Sequence, residues 1–171
     1  TVDVPDDCSE FTRCLLHLDV FETLHITDED KKRTKLYQNE GERKRLKTKI
    51  TDLNSYLNAL NITVEIFIWD EFAIPRIAQL TQRTNQFNLT TRRYSESDIN
   101  LLAHSESSLI YYIKSGDRFG DHGIVATGII HAKDDSWKID TFLLSCRVIG
   151  RGIEQAFLHF ICQNAIKKNI K

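Results

Sequence analysis

Between an apolar run and an amphipathic one the chain reads Cys146-Arg147-Val148-Ile149-Gly150-Arg151-Gly152. Arg-x-x-Gly-x-Gly at a strand-to-helix junction is an arrangement that can hold a phosphate. The first N–H groups of a helix have no intrahelical partner, and the helix dipole adds positive potential there. Glycines let an anion come close to the backbone. Arg147 and Arg151 supply charged, fork-shaped donors. The stretch therefore predicts a pyrophosphate or phosphopantetheine site. The competing reading is a plain helix entry with solvated arginines. Cys146 sits beside Arg147 and a helix start, a setting that lowers a thiol pKa, yet no histidine partner is evident and a packing role suits it as well. Acyl transfer to an amine or thiol needs a base within hydrogen-bond reach. Asp117, His122 and Asp140 are the polar groups nearest the expected cleft. With Cys146 they are the catalytic candidates, while Asp117 and Arg118 can equally pin a loop between strands.

The elements that must position these residues are legible in the hydrophobic pattern. Residues 62–69, Ile-Thr-Val-Glu-Ile-Phe-Ile-Trp, read as a strand. A helix follows over 72–86, with Pro75 in its first turn and Ile77 and Leu80 on its inner face. Residues 84–93 are polar and irregular. Ser95 caps a short helix reaching His104. Three strands come next, over 109–114, 124–131 and 137–146, and then a helix over 152–168. Six of the seven glycines lie between Gly116 and Gly152. The first two strands are expected to be joined by a glycine-rich loop over 115–123.

Upstream, Phe11, Cys14, Leu15 and Leu18 have helical spacing, and Thr27 with Asp28, Glu29 and Asp30 marks a helix start. Nine Lys/Arg and two Glu lie between Lys31 and Lys49. This run is a solvated face, or a surface that steers an acidic partner. Leu46, Ile50, Leu53, Leu57 and Leu60 make one apolar stripe. Residues 28–60 thus read as one bent connecting helix, interrupted near Gly41.

Composition limits the function classes. The chain has 171 residues with 23 basic and 24 acidic, a formal net charge of −1, so a nucleic-acid coat is not expected. Apolar residues make up 41%, enough for a core without disulfide staples. No apolar run reaches the ~20 residues needed to span a bilayer, and no signal-peptide pattern opens the chain. A cytoplasmic location is the expectation. Cys8, Cys14, Cys146 and Cys162 show no zinc-ligand spacing, so no metal site is expected in this chain. The chain starts at Thr1 and has no Met, which reads as a piece of a longer protein.

Strand, Arg-x-x-Gly-x-Gly and helix together resemble the acyl-CoA-binding motif of the GCN5-related acetyltransferase fold, and the element order before them fits that fold. A more specific resemblance is to FkbH-like proteins. It rests on Arg76-Ile-Ala-Gln-Leu-Thr-Gln-Arg-Thr-Asn-Gln-Phe-Asn-Leu-Thr-Thr-Arg-Arg-Tyr94, on Asp117-Arg-Phe-Gly-Asp-His-Gly123 and on Ser145-Cys-Arg-Val-Ile-Gly-Arg-Gly-Ile-Glu154. Thr27-Asp-Glu-Asp-Lys-Lys-Arg33 resembles the junction between that family's two domains. The resemblance implies a haloacid-dehalogenase-like domain ending at residue 26, a helical linker over 27–60, and an acetyltransferase-like domain over 61–171. That last domain is an α/β/α three-layer fold with a mostly antiparallel sheet, and the fold continues past its last helix here with further elements. The family loads a glyceryl unit from a phosphorylated three-carbon precursor onto an acyl carrier protein, for polyketide-type biosynthesis. The haloacid-dehalogenase-like domain, which is expected to use Mg, carries the chemistry. Leu143, Leu144 and Ser145 would offer backbone groups to the amides of pantetheine. Arg147, Val148, Ile149, Gly150, Arg151 and Gly152 would cradle the phosphates of acyl-CoA or of a carrier's phosphopantetheine arm.

Three functions follow. The chain is an acyltransferase-type part of a carrier-loading enzyme, a non-catalytic docking module for the carrier protein, or an N-acetyltransferase for a small amine. The run over 76–94 argues against the last, because generic members of the fold do not need it. The amides of Gln82, Asn85, Gln86 and Asn88 either lock a loop or recognise a polar acyl group. Arg92 and Arg93 are either solvated or face a phosphate.

Overall fold

A sequence in which β-branched runs alternate with short amphipathic ones folds here as a sheet covered on both faces. The computed structural model describes residues 5–16, 28–133, 135–168 and 170, and of residues 15, 16, 28–34 and 36 the backbone only. The chain divides into two units, Thr1–Glu42 and Arg43–Lys171.

In the first unit, Asp7 caps a 3-10 turn over Cys8–Glu10 by accepting from the Ser9 N–H at 2.8 Å. Helix α1, Phe11–Leu16, follows directly. Leu18 and the Thr27 cap lie outside the described residues.

Helix α2 runs Asp28–Lys49 without a break at Gly41. The expected single bent helix ends instead at residues 50–52, and a separate helix α3 spans Leu53–Leu60. The cause is local: the Asp52 carboxylate accepts from the Ser55 N–H at 2.7 Å and starts a new helix. The break takes Leu53 off the apolar stripe, leaving it 58% exposed, while Tyr56 and Leu60 are buried. Asn61 closes α3 at φ 50°, a left-handed conformation that asparagine tolerates.

Four antiparallel strands follow in the sheet order β1-β2-β3-β4: Thr63–Ile68, Ser108–Asp117, Gly120–Lys133 and Ser136–Leu144. Helices α4, Ile74–Arg83, and α5, Glu96–Ala103, lie between β1 and β2 in the chain. Helix α6, Ile153–Lys167, follows β4. Neighbouring residues in β2 serve opposite faces, as the strand's two-residue period requires. Ile110 and Tyr112 pack with Ile74, Ile77 and Ile99 of α4 and α5. Tyr111 and Ile113 pack with Ile153, Phe157 and Ile161 of α6. The result is a three-layer α/β/α domain.

Two features depart from the sequence pattern. The expected 115–123 loop is a tight hairpin, because β2 continues to Asp117 and β3 begins at Gly120. Register shifts at Ile113/Lys114 and Ser115/Gly116 absorb the extra residues. In β4, Thr141 pairs with Ile129 and Ile139 with Ile130, so Asp140 is an unpaired bulge residue. Gly128 marks where α6 presses on the sheet: a Cβ there would lie 2.9 Å from the Phe157 ring.

Candidate functional site

Strand β4 delivers the chain to the glycine stretch with its end tied down. The Ser145 N–H donates to the Val125 carbonyl at 2.7 Å. A 3-10 turn over Cys146–Val148 follows, closed by the Val148 N–H on the Ser145 carbonyl at 3.1 Å. Val148 is fully buried in the α6-side core and anchors the turn. Gly150 and Gly152 then adopt φ 74° and 80°, conformations that a residue with a Cβ reaches only with strain. Gly152 is the N-cap of α6 and has no side chain to close it. The first intrahelical bond runs from the Ala156 N–H to the Gly152 carbonyl at 3.1 Å. The N–H groups of Ile153, Glu154 and Gln155 precede it, aligned with the positive end of a 15-residue helix.

The two arginines of this stretch part company. Arg147 is exposed. Arg151 turns inward, with its side chain 12% exposed, and its Nη1 lies 3.3 Å from Asp117 Oδ2. Asp117 is the hub of a buried cluster. Its Oδ2 accepts from Arg43 Nε at 2.6 Å and its Oδ1 from Arg43 Nη2 at 2.9 Å, a two-pronged pair. Oδ1 also accepts from the Phe119 N–H at 2.9 Å. His122 Nε2 lies 3.2 Å from Oδ2, which assigns the ring proton to Nε2. The Asp117 side chain is 0% exposed, that of Arg43 4% and that of His122 3%. Burial opposes ionisation of Asp117 most strongly, but the hydrogen bonds from Arg43 and the Phe119 N–H, together with the Arg43 charge, outweigh it in sum and hold its pKa down to about 2. Burial, then the charge on Arg43, pushes His122 below its ordinary value.

Asp140 is committed elsewhere. Its carboxylate accepts from Arg92, from the Tyr94 hydroxyl at 2.5 Å and from the Thr141 hydroxyl at 3.0 Å, and His131 Nε2 lies 3.5 Å away. Arg93 donates to the Gln82 carbonyl and to Asn85 Oδ1. Arg92 and Arg93 thus staple the 84–94 segment to the domain. Cys146 is exposed at the mouth of the turn.

The backbone at the end of β4 is also engaged. The Leu144 N–H donates to the Phe87 carbonyl at 3.0 Å, and the Leu89 N–H to the Phe142 carbonyl at 3.2 Å. Asn88 forms a bridge to Leu143. A ligand amide aimed at Leu143, Leu144 or Ser145 would have to displace these bonds first.

Among the sequence candidates, the structure brings Asp117, His122 and Arg151 together and puts Gly150, Gly152 and Arg147 on the open side of the same turn. It does not bring Asp140 into this group. Two residues escaped the sequence reading. Arg43 came from a basic run that reads as a solvated face. Arg76 of α4 reaches the Ile124 carbonyl with Nε and Nη2 at 3.4 Å each. Its pKa is lowered by burial and then by the charges of Arg147 and Arg83, so it stands near the exposed arginine of the turn. The signal was present, since Arg76 opens the 76–94 motif. Among the described residues no group of three or more His, Cys, Asp or Glu is placed to hold a metal ion, and no helix is long and apolar enough to cross a membrane.

No protein-family model matches this sequence, and no curated protein matches it. Some solved structures are similar to it. The ribosomal-protein-S18-alanine N-acetyltransferase from Escherichia coli is similar at a TM-score of 0.50 and 15% identity, over 63% of this chain and 63% of that one. The IAA acetyltransferase from Bacillus cereus ATCC 14579 aligns at 0.45 and 18%, over 63% and 61%. The spermidine/spermine N-acetyltransferase SpeG from Vibrio cholerae aligns at 0.45 and 9%, over 65% and 64%. The domain has the GCN5-related acetyltransferase fold, and the shared part spans less than two thirds of each of those enzymes.

Proposed function

We propose that this chain is the coenzyme-binding or carrier-arm-binding part of an acyltransferase. The observation that carries the reading is the open turn at the end of β4. Gly150 and Gly152 are left-handed and exposed, the first N–H groups of α6 have no intrahelical partner, and the exposed Arg147 can meet a phosphate. The acetyltransferase fold supports acyl-CoA as one ligand. The FkbH-like motifs support the narrower reading, in which a glyceryl unit is loaded onto an acyl carrier protein in the cytoplasm and a haloacid-dehalogenase-like domain supplies the chemistry. On that reading the phosphopantetheine arm is the ligand.

A second reading has one observation in its favour. The side chains of Asp117, His122 and Asp140 are all buried and hydrogen-bonded, so none is an open general base. That suits a module that presents the carrier arm and does no chemistry on its own. A small-amine N-acetyltransferase fits the fold equally well but needs such a base.

Calorimetric titration with coenzyme A tests the shared core of these readings. Wild type should bind saturably. Gly152→Trp, which puts an indole in the cradle and strains a left-handed position, should not. Equal or absent binding in both folded proteins would remove the cofactor reading.

A further inference from the structure

We infer that Asp117 is the positioning residue of the phosphate cradle, with Arg43 as its partner from the end of α2. The inference rests on the coenzyme-binding reading above. A turn with glycines at 150 and 152 has wide conformational freedom. Only Arg151 between them carries a side chain long enough to fix it. That side chain is held from within by Asp117 Oδ2 at 3.3 Å; His122 Nε2 lies 3.3 Å away but, as a donor to Asp117, does not accept from it. Asp117 in turn cannot shift: Arg43 grips both its oxygens, and the Phe119 N–H fixes it to the hairpin.

The chain of support therefore runs Arg43, Asp117, Arg151 and then the turn. Its product is an array of N–H groups set in place before an anion arrives, which lowers the ordering cost of binding. Arg151 is a strut in this arrangement, and Arg147 is the arginine that meets the ligand. The support starts on α2, so the last turns of a helix outside the sheet set the geometry of the cradle.

The test uses the 171-residue chain and two probes, coenzyme A and phosphate-free pantetheine. Arg151→Met, at a position that is not fully buried, should weaken coenzyme A about 10-fold, or ~1.4 kcal/mol, and leave pantetheine unchanged. Arg43→Met should do the same, and Arg43→Lys should recover part of the loss by restoring charge without the fork. The Arg43→Met/Arg151→Met double variant should lose no more than the worse single one, since both act through Asp117. Coenzyme A affinity unchanged in folded Arg151→Met would overturn the inference. So would equal losses for both probes, or full additivity of the two changes. If wild type binds neither probe, the coenzyme reading itself fails, and this inference with it.

Discussion

Asp117 and Tyr112 show how single residues set the pH limits of this domain. Asp117 has an ordinary pKa of 3.8 and a folded value of about 2. Because the folded value is depressed, its contribution is present above about pH 4 and lost as pH falls from there toward 2. Asp117→Asn should lower stability at neutral pH and flatten the acid limb of the stability curve, which urea unfolding at several pH values would read. Removing Arg43 should be more damaging, by roughly 3–5 kcal/mol, because it leaves a buried carboxylate short of its main partner. Tyr112 moves the other way. Burial, and its hydroxyl bond to Asp70 at 2.5 Å, push it up from 10.0 to about 12. A raised value means stability holds below about pH 10 and is lost on the way to 12. Tyrosinate absorbance should therefore show Tyr112 titrating last, in step with alkaline unfolding, with Tyr94 and Tyr111 also delayed by burial. Titration of all five tyrosines near the ordinary value would contradict this.

The residues also mark the limit of what sequence can say. Arg147 and Arg151 are equivalent in the motif, and only the 3-10 turn and the two left-handed glycines decide which faces in. Asp140 looked like a cleft residue, but its bulge places it among Arg92, Tyr94 and Thr141. Arg43 was hidden among like charges, because burial of one arginine in a basic run depends on a hairpin 74 residues away.

At the scale of elements, strand and helix existence followed from local pattern. Ser95 is a clear case: its hydroxyl accepts from the Asp98 N–H and the Asp98 carboxylate reaches back, a full capping box. Ser95→Ala should cost about 0.5–2 kcal/mol. Boundaries that depend on partners were less legible. The 115–123 segment reads as a loop because of its glycines, but pairing between β2 and β3 extends both strands through it. The α2–α3 break was misplaced at Gly41 because one glycine in a long helix costs only about 1 kcal/mol, whereas the Asp52 cap starts a new helix outright. Gly128 carries a contact between elements. Phe157 is fully buried and stacks on Phe142, with ring centroids 5.2 Å apart. Gly128→Ala should force that ring aside and destabilise by roughly 1–3 kcal/mol, with a lower melting temperature and little change in the cradle. A melting temperature equal to wild type would show that α6 can retreat at no cost.

For the whole molecule, one sheet between α4/α5 and α6 brings the end of β4, the β2–β3 hairpin and the start of α6 to one place. Sequence order alone gave the layers, since a strand with both faces apolar must be covered twice. It did not give the Phe87–Leu89 segment on the edge of β4, because that bond set is long-range and its residues carry no strand pattern. The cradle is tested most directly by following backbone amide resonances while coenzyme A is added. The amides of Gly150, Gly152, Ile153, Glu154 and Gln155 should shift first and saturate together. Saturable binding that moves other amides and leaves these five in place would contradict this.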